Sequence, residues 1–161
     1  MSNPFRLDEK HFNEDLEFDE GFSWNQPEYQ LPLRVSYDIA VQDDHHGAIL
    51  IALFSRSMTS PKPNLGSIDL DAISWQMSTQ SSQQLIRTKW LFEVPDQDLH
   101  NFSVQLCVIY TVETILTDSE VTVNYNGEEV ARAYLKIGDI PDVGHIGFGV
   151  VGRKLDKPAI I

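Results

Sequence analysis

From Leu31 onward the apolar residues recur with a period of two, and this alternation restricts the fold more than any other feature of the sequence. A period of two puts neighbouring side chains on opposite faces of a sheet. Leu33, Val35, Tyr37, Ile39 and Val41 alternate with Arg34, Ser36, Asp38 and Ala40, the signature of a half-buried strand. Ala48 to Phe54 is continuously apolar, so a strand covered on both faces is expected there. Pro61, Pro63, Asn64 and Gly66 mark a loop, and a shorter strand is expected from Ile68 to Met77. Ile86, Thr88, Trp90, Phe92 and Val94 would share one face of a strand that stops at Pro95. Val104, Leu106, Val108, Tyr110 and Val112 would share a face of the next, with only a turn or one helical turn between them. Val121, Val123 and Tyr125 run into Asn126-Gly127, a dipeptide that tolerates the positive φ of a type I′ turn and so predicts a hairpin with the strand from Val130 to Ile137. Ile146, Phe148 and Val150 form a last strand, in which Gly144, Gly147, Gly149 and Gly152 permit close backbone approach. No stretch reads as a helix of twelve residues, although periodicity alone leaves a short buried helix open for Ala48 to Phe54. The expected fold is all-β, an antiparallel β-sandwich of about seven or eight strands over residues 31–161.

At 161 residues the chain is the size of one domain with a real core, and its single Cys107 excludes an intramolecular disulfide. Twenty-four acidic residues against twelve Lys and Arg give a net charge of −12, which argues against nucleic acid as a partner, since phosphate-backbone affinity comes from clustered bases. No run of apolar residues is long enough to span a membrane, and Met1-Ser2-Asn3-Pro4 does not open a signal peptide, so a cytoplasmic location is expected. The charge is uneven. Residues 1–30 hold eight acids and two bases, a net −6, together with Phe5, Phe12, Phe18, Phe22, Trp24 and Tyr29. That aromatic density exceeds what a purely solvating acidic tail carries. The stretch reads as an N-terminal arm that docks either on its own domain or on a partner subunit. Phe5, Phe12, Phe18, Phe22 and Trp24 would be its contact residues.

Four segments then suggest a family. Gln84 to Pro95 followed by Asp98 to Tyr110, the Val123 to Arg132 hairpin, and the glycine-flanked strand from Ile146 to Gly152 together resemble the TerD family of bacterial tellurium-resistance and stress-response β-sandwich proteins. The resemblance implies a calcium-responsive protein. It departs from the family where calcium would bind: the acidic constellation is mostly missing, with Ser36-Tyr37-Asp38 in place of its first turn and Asp69-Leu70-Asp71-Ala72 one strand too late.

Read from the residues themselves, Asp38, Asp43, Asp44, Asp69 and Asp71 are the candidate calcium ligands, against the plainer reading of solvated loop carboxylates. His45 and His46 in Asp43-Asp44-His45-His46-Gly47 could meet one metal only from a turn, with His11, His100 or His145 as a third ligand. No nucleophile elbow, phosphate loop or metalloprotease motif occurs, so an enzyme is not expected and no cofactor besides calcium is called for. The leading expectation is a non-catalytic assembly subunit that binds a protein partner or itself through the arm. A TerD-like stress protein and an acidic chaperone-like binder of basic proteins are the alternatives. A carbohydrate-binding sandwich would use Trp75 and Trp90 as stacking platforms, although Trp90 shares the core-facing side of its strand.

Overall fold

The structure, a computed structural model, describes residues 5–6, 15–16, 22–41, 48–58, 71–89, 92–152 and 159–160. Within them every regular element is a strand, and no helix is long and apolar enough to cross a membrane. The strands are β1 (Phe5–Arg6), β2 (Asp15–Leu16), β3 (Phe22–Trp24), β4 (Tyr29–Gln30), β5 (Leu33–Ala40), β6 (Ala48–Ser55), β7 (Ala72–Ser78), β8 (Ile86–Thr88), β9 (Phe92–Glu93), β10 (Gln97–Leu99), β11 (Ile109–Leu116), β12 (Glu120–Tyr125), β13 (Glu128–Tyr134), β14 (Val143–Gly152) and β15 (Ala159–Ile160).

They form two sheets. The first runs β10-β13-β12-β11-β5-β15-β2, with β1 parallel to β5; the second runs β3-β14-β6-β7-β8-β9, with β4 on β14. Pairing along both central ladders is antiparallel, and the expected β-sandwich is the fold observed. The four described strands within residues 1–30 all pair with strands of these two sheets.

One apolar layer fills the space between the sheets. β5 delivers Leu33, Val35, Tyr37 and Ile39 to it, as its alternation requires, and β11 delivers Tyr110, Val112 and Leu116. From the second sheet come Leu50, Ala52 and Phe54 of β6, Ile73, Trp75 and Met77 of β7, and Ile146 and Phe148 of β14. The rings of Phe148 and Tyr37 meet edge to face at 4.8 Å between centroids, tying the sheets together near their middle.

The Asn126-Gly127 hairpin forms as expected: both residues have positive φ, 52° and 81°, and β12 pairs with β13 across them. Two expected strands are cut short by left-handed residues that are not glycine. Lys89 at φ 53° turns the chain after Thr88, so β9 folds back antiparallel to β8 and Phe92 ends up exposed instead of joining the Ile86 face. Cys107 at φ 61° donates its amide to the Val41 carbonyl oxygen, and β11 therefore begins only at Ile109. Val104 still reaches the core from the irregular segment before it. The presumed turn after Pro95 contains the short strand β10, paired with β13.

Candidate functional site

The outer face of the second sheet differs from an ordinary solvated sheet face. β6 faces both ways with apolar residues: Leu50, Ala52 and Phe54 point into the sandwich, while Ile49, Ile51 and Leu53 point away from it. On β7 the residues opposite Ile73, Trp75 and Met77 are Ala72, Ser74, Gln76 and Ser78, small or neutral and all buried. Register then aligns one row across six strands. Trp24 of β3 pairs with Gly147 of β14, Gly147 with Leu53 of β6, Leu53 with Ser74 of β7, Ser74 with Arg87 of β8, and Arg87 with Glu93 of β9.

The row is aromatic and apolar at one end and polar at the other. At Gly147 the missing side chain makes room for Trp24: a Cβ there would lie 2.6 Å from the indole ring. Trp24 uses that space to pack against the cluster of Ile51, Leu53 and Ala72 while keeping part of its own surface exposed. At the polar end Arg87 Nη1 donates to Gln76 Oε1 at 2.6 Å. Arg87 is half-buried and Glu93 exposed, whereas Ser74 and Gln76 are buried beside them. One row over, Ser55 lies between Ala72 and His145; its hydroxyl is buried and makes no hydrogen bond among the described residues. His145 itself is fixed through Nδ1 to the carbonyl oxygens of Gln26 and Pro27, at 3.0 and 3.1 Å.

The residues singled out from sequence fall elsewhere for the most part. Trp75 is 3% exposed and its indole donates to the Tyr37 hydroxyl, so it is core and not a stacking platform. Trp90, Phe12, Phe18, Asp43, Asp44, Asp69, His11, His45 and His46 lie outside the described residues. Phe5 lies in β1, and Phe22 in β3 beside Trp24. Asp38 is on the outer face of the first sheet, accepting from Thr111, and Asp71 accepts from Arg56 at 2.7 Å. Asp38 lies in β5 of the first sheet and Asp71 just before β7 of the second, and among the described residues no group of three or more His, Cys, Asp or Glu is placed to hold a metal ion.

A second polar cluster occupies the outer face of the first sheet. Arg132 is hydrogen-bonded to both Glu120 and Glu129 at 2.6 Å, and His100 Nε2 lies 3.1 Å from Glu129. Here each charge is already answered by its neighbours. Arg132, through its hydrogen bond, holds the Glu129 carboxyl below the ordinary carboxylate range.

The chain matches no family model and no curated protein. Its fold is that of galectin-like sandwiches. A Bacillus subtilis protein of unknown function with a galectin-like fold superposes at a TM-score of 0.66, with 13% identity over 86% of this chain and 73% of that one. A Bacillus subtilis carbohydrate binding module, CBM66, gives 0.58, with 14% identity over 88% and 78% of the two chains. Sheep galectin-11, in complex with glycerol, gives 0.52, with 10% identity over 84% and 93%.

These similarities correct the TerD resemblance, which rested on strand patterning that sandwiches of different families share. The calcium-responsive stress protein goes with it. The assembly subunit acting through an acidic arm, and the chaperone-like binder of basic proteins, are likewise set aside, since the structures this fold superposes on include a carbohydrate binding module and a galectin.

Proposed function

We propose that this chain is a non-catalytic carbohydrate-binding sandwich that holds an oligosaccharide on the outer face of the β14-β6-β7-β8 sheet. The observation that carries this reading is the row Trp24, Gly147, Leu53, Ser74, Arg87. A sugar offers an apolar C–H face and a rim of hydroxyls. The row offers a half-buried aromatic ring seated over a glycine at one end and a half-buried guanidinium at the other, with Leu53, Ser74 and Gln76 buried between them. Sites for small ligands have this composition, apolar surface with a few placed polar groups. Two structures that share the fold, a carbohydrate binding module and a galectin, support the same reading.

The non-catalytic part rests on β7. Glycoside hydrolysis ordinarily uses two carboxyl groups flanking the scissile bond. β7 crosses the middle of this face with Ala72, Ser74, Gln76 and Ser78, none of which ionises as a carboxylate.

Titration calorimetry against a panel of neutral and acidic oligosaccharides tests the proposal. Binding by the wild type, and its loss in Trp24→Leu and Gln76→Leu with the melting curve retained, is the expected result. Binding that survives both substitutions would place the ligand elsewhere and overturn it.

A further inference from the structure

The described arginines are not treated alike by their surroundings, and the difference bears on which sugars fit. Arg56 bridges Asp71 and Asp142 at 2.7 and 2.8 Å, and Arg132 lies between Glu120 and Glu129. Arg34 is exposed and solvated on the outer face of the first sheet. Arg87 alone is half-buried and held by a neutral group, the Gln76 amide oxygen; it makes no ion pair among the described residues, even though Glu93 is its register partner on β9. In a chain with twice as many acids as bases, a partly desolvated guanidinium left without a carboxylate is conspicuous.

Guanidinium carries five N–H donors in a planar fork that matches the oxygens of a carboxylate or sulfate. Gln76 takes one of Arg87's five, fixing the group and leaving the others for a ligand.

We infer that the ligand is an anionic oligosaccharide whose carboxylate or sulfate group is taken by Arg87. This rests on the carbohydrate-binding reading above. The net charge of −12 adds a restriction: densely charged polyanions are repelled by the rest of the surface, so the ligand's anionic groups are isolated ones.

The test measures binding of the full chain to short uronic-acid oligosaccharides of glucose, galactose and mannose configuration. Each is paired with its carboxyl-reduced neutral form and with a singly sulfated neutral form. An acidic oligomer is expected to bind at least about tenfold more tightly than its neutral counterpart, the size of one charge-assisted hydrogen-bonded contact. R87Q should abolish that preference and R87K should keep part of it, both with the wild-type melting curve. Preference for the uronic or for the sulfated form tells which anion Arg87 takes. Equal binding of charged and neutral forms would overturn the inference and leave the carbohydrate-binding reading standing; failure of every oligosaccharide to bind would overturn the reading itself.

Discussion

The indole N–H of Trp75 on one sheet donates to the hydroxyl oxygen of Tyr37 on the other, at 3.0 Å in the middle of the sandwich. Both rings are buried, and burial pushes the Tyr37 hydroxyl well above its ordinary pKa, so it stays protonated as well as accepting. Tyr37→Phe keeps the ring and its edge contact with Phe148 but leaves the indole N–H with no acceptor. A loss of about 1–3 kcal/mol is expected, the cost of an orphaned buried donor. Urea denaturation should show it as a lower midpoint with an unchanged slope.

Gly147→Ala tests how tightly Trp24 is seated. The added Cβ would fall 2.6 Å from the indole, closer than real contacts allow, so the ring must move. The expected cost is about 1–3 kcal/mol, the range for overpacking. The displaced ring should also weaken oligosaccharide binding by more than the stability loss alone produces at a temperature where the variant is folded. Calorimetric titration beside a melting curve separates the two effects.

Gly127→Ala makes a contrasting case, because nothing lies within 4 Å of the position a Cβ would take. Its φ of 81° is the whole difficulty, and a left-handed alanine costs about 1–2 kcal/mol. Denaturation should register that loss while oligosaccharide binding, on the opposite sheet, stays as in the wild type.

How far the sequence disclosed these features depended on whether the information was local. The alternation from Leu33 to Val41 and the Asn126-Gly127 turn are written in adjacent residues, and both appear where they were expected. Lys89 and Cys107 break their strands in a conformation that neither residue type advertises, which is why two strands are shorter than their alternation predicts. The site is less legible still. Trp24 stands out in the sequence as an aromatic but reads as an arm contact, because its seat on Gly147 is more than a hundred residues away in the chain. Arg87 and Gln76 acquire meaning only through the register of three strands. The one available signal was the run Ala72, Ser74, Gln76, Ser78, small and neutral, interleaved with Ile73, Trp75 and Met77 on a strand buried on both sides.

The Arg132 cluster sets an acid limb on stability. The Glu129 carboxyl is held below its ordinary value near 4.5, chiefly by the Arg132 hydrogen bond. The folded chain therefore binds fewer protons there than the unfolded chain, and this contribution is present above the ordinary value and is lost as pH falls through the folded one. Glu129→Gln removes the titration. Denaturation series between about pH 5 and pH 3 should show a shallower decline for Glu129→Gln than for the wild type; parallel curves would mean that Glu129 does not set this limb.

The pairing of β3 with β14 has a consequence for the order in which the molecule is built. A chain leaves the ribosome from its N-terminus, so Trp24 is made early and Gly147, the residue it rests on, late. β5 waits in the same way for β11, its antiparallel neighbour in the first sheet. Contacts between residues so distant in sequence close slowly. Until β14 is laid between β3 and β6, the apolar outer face of β6 has no cover from Trp24, and the nascent chain must carry Ile51 and Leu53 exposed. Synthesis of the last strands is thus the step at which both the sheet and the aromatic end of its outer face come into being.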